Sequence, residues 1–136
     1  MIRVLVVDDF NIFRGFVVAT LNEQPELQVI CEASDGLEAI QKATELQPDL
    51  ILLDIGLPKL NGLAAGEQIL RLCPNSKILF LSVVSSPDVV QAAFNIGASG
   101  YVVKMDAESD LVAAVATVVS GRKFVGKGFA EYNFTK

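Results

Sequence analysis

Four large aliphatic residues in a row, Leu50-Ile-Leu-Leu53, stop abruptly on Asp54. Pro48-Asp49 precedes the run, and Gly56 and Pro58 follow it. An apolar stretch this short, bounded by turn formers, predicts a strand buried on both faces, as in a parallel sheet covered by helices. Asp54 then stands where the strand leaves the core. Ile2-Arg-Val-Leu-Val-Val7 followed by Asp8-Asp9 has the same form. One acid at one strand end is ordinarily a solvated loop residue. Two buried strands that both end on carboxylates gather three acids at one edge of a sheet, and that favours a site.

The rest of the chain alternates in the same way. Further strands are predicted at residues 27–33, 77–81 and 100–103. The first helix, 11–23, carries Ile12, Phe13, Phe16, Val17 and Leu21 at helical spacing. A second opens at Ser34-Asp35-Gly36 and puts Leu37, Ile40, Ala43 and Leu46 on one face. A third covers 62–73. Pro25, Pro48 and Pro74 stop these three. Ser86-Pro87 predicts an N-cap with proline at the first helical position, ahead of a helix burying Val90, Ala93 and Phe94. Asp106 is the expected cap of a last helix with Leu111, Val112, Val115, Val118 and Val119, and Gly121 lies just past its end. Five strands alternating with five helices predict an α/β domain, a doubly wound five-stranded parallel sheet. Sites in such sheets form beyond the carboxyl ends of the strands. We expect the domain to span residues 1–121. Residues 122–136, with Phe124, Phe129, Tyr132 and Phe134, depart from the pattern, and either pack back on the domain or begin a linker.

Composition removes several function classes. With 136 residues, 51% hydrophobic and 20% charged, the chain is one globular domain with a real core. No apolar run approaches the roughly 18 residues of a membrane span. Met1-Ile-Arg runs straight into a strand pattern, so no signal peptide is expected. A net charge of −5 argues against nucleic-acid binding by this domain itself. The absence of histidine removes histidine triads, most zinc sites and a histidine general base. Cys31 and Cys73 form no CxxC pair and lie in apolar segments. They are expected to be buried free thiols of a reducing compartment, which points to the cytoplasm.

Two more strand ends carry functional groups: Ser82 after the fourth strand, and Tyr101 and Lys104 in Gly100-Tyr-Val-Val-Lys104. Taken singly, Lys104 is a surface lysine, Ser82 a turn residue and Tyr101 a half-buried strand aromatic. Together with three acids they answer an electrostatic need. Carboxylates about 4 Å apart repel by roughly 4 kcal/mol per pair at an effective dielectric near 20. Lys104 supplies one positive charge, and a hard divalent ion such as Mg²⁺ would supply the rest. Gly126-Lys127-Gly128 follows no predicted strand and completes no phosphate-binding loop.

These pieces carry a resemblance. Val-Val-Asp8-Asp9, Leu-Leu-Asp54-Ile-Gly-Leu-Pro58 with Gly62, Leu81-Ser82, and Gly97-Ala98-Ser-Gly100-Tyr101 leading to Lys104 resemble, in order and spacing, the receiver domain of two-component response regulators. The stretch from Asp106 to Arg122 is most similar to regulators with a C-terminal helix-turn-helix DNA-binding domain. The resemblance implies a flavodoxin-like strand order 2-1-3-4-5. It implies that Asp54 is the phosphoacceptor for a sensor histidine kinase, and that the domain is a switch and not an enzyme. Asp9, Asp54 and the backbone carbonyl of Gly56 would bind Mg²⁺, with Asp8 acting through water. Lys104 would pair with a phosphoryl oxygen. Ser82 would bond to the phosphoryl group, and Tyr101 would then turn inward. Implied partners are the kinase, a DNA-binding output domain outside this chain, and a second copy on phosphorylation.

Three positions depart from the family pattern. Val83 replaces a small residue and would narrow access to Asp54. Met105 stands where many receivers have a cis-proline, and Asn61 replaces a frequent aspartate. A phosphorylation-independent pseudo-receiver is the first rival reading. A Mg²⁺-dependent phosphatase with an aspartyl nucleophile is the second, and Gly56 in place of a second acid argues against it.

Overall fold

A computed structural model describes residues 1–134. Six parallel strands form one sheet: β1 (Ile2–Val7), β2 (Leu27–Ala33), β3 (Leu50–Leu53), β4 (Lys77–Ser82), β5 (Gly100–Val103) and β6 (Phe124–Val125), in the order β2-β1-β3-β4-β5-β6. The helices are α1 (Asn11–Asn22), α2 (Gly36–Leu46), α3 (Gly62–Leu72), α4 (Pro87–Asn95) and α5 (Ala107–Val119). The α/β class and the order of the first five strands are as expected. The count of five is corrected to six, because the tail adds β6. Two residues are too short to show a period of two, so no pattern in the sequence marks them as a strand. The Phe124 amide donates to the Ser99 carbonyl at 3.1 Å, which places β6 on the free edge of β5.

The sheet is buried on both faces, and the period of two along each strand decides which residue serves which layer. Val4, Val6, Leu52 and Leu81 pack with Val17, Leu21, Leu111 and Val115 of α1 and α5. Leu5, Ile51, Leu53 and Phe80 pack with Ala39, Ala43, Ile69 and Phe94 of α2, α3 and α4. Strand order reverses between β1 and β3, which pair in the register Val4↔Leu50 through Val7↔Leu53. Val7 and Leu53 are therefore level, and Asp8 and Asp54, one residue on, leave the sheet side by side. The Asp54 amide donates to the Val7 carbonyl at 3.1 Å.

Several expectations from helical spacing are corrected. Ile12 (77% exposed), Leu37 (54%) and Val112 (42%) face solvent. Each lies at the margin of its helix's apolar stripe, and the buried row runs through neighbours such as Val17, Ala39 and Val115 instead. Asp35 caps α2 by accepting from the Glu38 amide at 2.8 Å, and Asn61 caps α3 by accepting from the Ala64 amide at 3.0 Å. Ser86 and Asp106 occupy cap positions, but their side chains form no capping bond. At α5 a 3₁₀ turn, Lys104–Asp106, does the work: the Ala107 amide donates to the Lys104 carbonyl. Both cysteines are free. Cys73 is buried, but Cys31 is only partly so, on the edge strand β2. Among the described residues no helix is long and apolar enough to cross a membrane.

Candidate functional site

The carboxyl ends of β1, β3, β4 and β5 converge. Asp8 is 2% exposed and Asp54 6%, whereas Asp9 is open to solvent. The Lys104 ammonium lies 2.8 Å from Asp8 Oδ2 and 3.2 Å from Asp54 Oδ2. One cation thus bridges the two buried acids. Each acid also takes a local amide: Phe10 donates to Asp8 Oδ1 at 2.9 Å, and Gly56 to Asp54 Oδ1 at 3.3 Å. Burial pushes the Asp54 carboxyl above its ordinary value; Lys104 pulls it down and Asp8 pushes it up again. Burial pulls Lys104 down, but its bond to Asp8 and the Asp54 charge outweigh this and leave it raised. The lysine is held charged between the two acids.

One oxygen from each of Asp8, Asp9 and Asp54 lies within 4.8 Å of the others. All are hard carboxylate donors, two are fixed by burial, and the third opens to water. That donor set fits an oxygen-liganded divalent cation that keeps part of its hydration shell.

The loop after β3 is shaped by close approach of backbone. A Cβ on Gly62 would lie 1.9 Å from the Asp54 carbonyl oxygen. The Gly62 amide donates to the Ile55 carbonyl at 2.7 Å, which folds the loop back beside Asp54. Only glycine permits this contact.

On the β4 side, Ser82 is 1% exposed and its Oγ accepts from the Val84 amide at 3.0 Å. Tyr101 has no exposed surface, and its hydroxyl donates to the Val84 carbonyl at 2.7 Å. Burial raises the Tyr101 phenol, the Ser82 hydroxyl lowers it, and Asp54 raises it further. Tyr101 is therefore already inward. Val83 is 76% exposed, so its side chain projects into solvent. Met105 is 87% exposed, and every described peptide bond is trans.

The structure brings together Asp8, Asp9, Asp54, Lys104 and Ser82, with Gly56 in the adjoining loop and Tyr101 behind Ser82. Three residues were not singled out from sequence. The Phe13 ring lies 4.7 Å beneath the Lys104 ammonium, a cation–π contact. Its helical spacing had marked it only as core. Arg14 Nη1 donates to the Asp8 carbonyl at 2.6 Å, and its Nε to Glu32 at 2.9 Å. Phe129 packs edge-on to Tyr101 at 6.5 Å between centroids. No spacing rule announces partners that come from different elements.

The sequence profile described as the response regulator receiver domain matches residues 4–116. The chain belongs to that family. Receivers are signalling modules, and this one is similar to those of transcriptional regulators. It is 35% identical to the transcriptional regulatory protein DegU of Brevibacillus brevis, over 91% of this chain and 52% of that protein. It is 38% identical to the transcriptional regulatory protein LnrK of Bacillus subtilis, over 89% of this chain and 55% of that protein. The receiver thus spans about half the length of these relatives. Among solved structures it is similar to a LuxR-family two-component response regulator from Aurantimonas sp., with TM-score 0.91 and 30% identity, covering 96% of this chain and 94% of that one. The receiver domain of the response regulator NarL from Mycobacterium tuberculosis matches with TM-score 0.82 and 31% identity, over 89% of this chain and 98% of that one.

Proposed function

We propose that this receiver accepts a phosphoryl group on Asp54 from a phosphohistidine of a sensor histidine kinase in the cytoplasm. The observation that carries this reading is the single lysine bridging two buried acids at the β1/β3 switch point, at 2.8 and 3.2 Å. In the step, an Asp54 carboxylate oxygen attacks phosphorus and the phosphorus–nitrogen bond breaks. The electron pair returns to the imidazole, and Asp54 becomes an acyl phosphate. Such transfer needs positioning and charge neutralisation more than a general base, so a chain without histidine loses nothing. Asp9, Asp54 and the Gly56 carbonyl would hold Mg²⁺, with Asp8 acting through water; bound there, the ion neutralises charge on the phosphoryl oxygens. Lys104 turns from the carboxylates to a phosphoryl oxygen. Ser82 donates its hydroxyl hydrogen to another. The added charge of about −1.5 to −2 shifts a two-state equilibrium. The face near Tyr101 and α5 then changes its partner, a second copy or a DNA-binding output domain beyond this chain.

The test is mass spectrometry after incubation with acetyl phosphate and Mg²⁺. One phosphoryl group is expected on the wild type and none on Asp54→Ala. Labelling of that variant, or none of the wild type, overturns the reading. Asp9→Ala should weaken Mg²⁺ binding strongly in a calorimetric titration, and an unchanged affinity would place the ion elsewhere.

A further inference from the structure

The tail is a part of the described chain that the proposed chemistry leaves unused, and it packs on Tyr101, whose hydroxyl is joined to Ser82 through Val84. The Tyr101 ring is flanked by Phe80 at 6.4 Å and by Phe129 at 6.5 Å, the latter edge-on at 78°. Phe129 is 6% exposed and belongs to the same apolar cluster as Tyr101. It is delivered by a 3₁₀ turn, Lys127–Phe129, directly after β6. The register Tyr101↔Val125 places that turn beside β5. A second anchor lies on α4, where the Phe134 ring stacks on Phe94 at 5.8 Å. We infer that residues 124–134 are a working part of the switch: their docking holds Tyr101 inward and is positively coupled to loading of Asp54. The inference rests on the phosphoacceptor reading and adds its regulation.

The connection is continuous. Ser82 Oγ accepts from the Val84 amide, and the Val84 carbonyl accepts from the Tyr101 hydroxyl. A hydroxyl has one hydrogen to donate and two lone pairs. Ser82 can therefore donate to a phosphoryl oxygen while still accepting from Val84. Loading fixes Ser82, Ser82 fixes Val84, and Val84 holds the phenol against which Phe129 rests. In reverse, Tyr101 cannot leave its place without disturbing the ring packed on it. A docked tail thus favours the loop conformation that serves the loaded site. Linkage makes the effect equal in both directions.

The tail is also weakly enough held to respond. Its strand has two residues, Tyr132 remains 49% exposed, and Phe129 is its one buried large side chain. An element with few buried contacts docks with a small free energy, which a second site can shift.

The experiment uses the full chain with Mg²⁺ and beryllofluoride as the phosphoryl mimic. Loading should slow hydrogen exchange of the Phe124 and Phe129 amides, bonded to the Ser99 and Gly126 carbonyls, by about 5-fold or more. Phe129→Ala should weaken beryllofluoride binding by a similar factor, Phe129→Leu by less, and exposed Glu131→Ala not at all. If Phe129→Ala does not fold, the exchange measurement on the wild type decides alone. Equal affinity in wild type and Phe129→Ala, or unchanged or faster tail exchange on loading, overturns the coupling and leaves the phosphoacceptor reading standing. No beryllofluoride binding by the wild type overturns both.

Discussion

The acid mouth and the aromatic tail edge lie on either side of Ser82 and Val84, and they are held by opposite physics. At the mouth, Asp8 and Asp54 are buried charges, tolerable only because Lys104 and two backbone amides meet them at hydrogen-bond distance. At the tail edge, Phe129, Tyr132 and Phe134 meet one another, and Phe129 meets Tyr101, at centroid distances of 5.7 to 6.5 Å and at varied tilts. Aromatic pairs accept that spread of geometry. The mouth is therefore specific and brittle, and the edge adaptable.

The largest expected effect is on the mouth's backbone. Gly62→Ala should cost on the order of 4 kcal/mol or more, because its Cβ meets the Asp54 carbonyl, and chemical denaturation would show it. In the tail, Gly128 has nothing within 4 Å of an added Cβ, so Gly128→Ala should stay within about 0.5 kcal/mol. Equal costs would break the contrast between brittle and adaptable regions.

Next come paired losses read against pH. Lys104→Met leaves two buried acids unbridged and should cost about 2–3 kcal/mol at neutral pH in metal-free buffer. Asp54's folded pKa is raised, so its ionisation costs the folded state. That cost is absent below the unfolded carboxylate range and complete above the raised value. The Lys104→Met deficit should therefore shrink as pH falls through Asp54's raised value. Phe129→Ala should cost about 2 kcal/mol with no such pH dependence, since no charge is removed. In the wild type, Lys104's raised pKa means its contribution persists at neutral pH and is lost only as pH rises through that raised value. Urea denaturation across pH would check all three, and a pH-dependent Phe129→Ala deficit would blur the distinction.

Asp54→Asn should be smaller and opposite in sign. Removing a desolvated charge beside Asp8 while keeping the Asp8–Lys104 pair should stabilise the metal-free protein by about 1 kcal/mol. A loss instead would mean that the mouth's charges are net stabilising. The smallest effect belongs to Asp35, whose pKa is lowered chiefly by the Glu38 amide. Its helix-capping contribution is present above the ordinary aspartate value and fades as pH falls through the lowered one. Amide exchange at the start of α2 in Asp35→Ala would register it.

Much of the mouth was legible beforehand because buried charge is conspicuous in a sequence. Leu50–Leu53 ending on Asp54, and Val7 ending on Asp8-Asp9, read as strand ends without any structure. Gly62 stood in the motif that carries the resemblance, but nothing local marks it as the residue against which the Asp54 carbonyl rests. Phe13 under Lys104 and Arg14 on the Asp8 carbonyl were invisible, since a phenylalanine or arginine on a helix looks the same whatever it faces. Ile12, Leu37 and Val112 misled because apolar spacing marks a stripe and does not show where it ends.

The α/β class, the buried strands and the acids at their ends are readable from the residues alone, because they follow from local periodicity and from the cost of burying charge. Tertiary structure alone decided the sixth strand, the exposure of Val83, and the packing of Phe129 on an inward Tyr101. Those depend on contacts between residues distant in the chain, such as Tyr101 with Val84 and Phe129, whose partners no local pattern encodes.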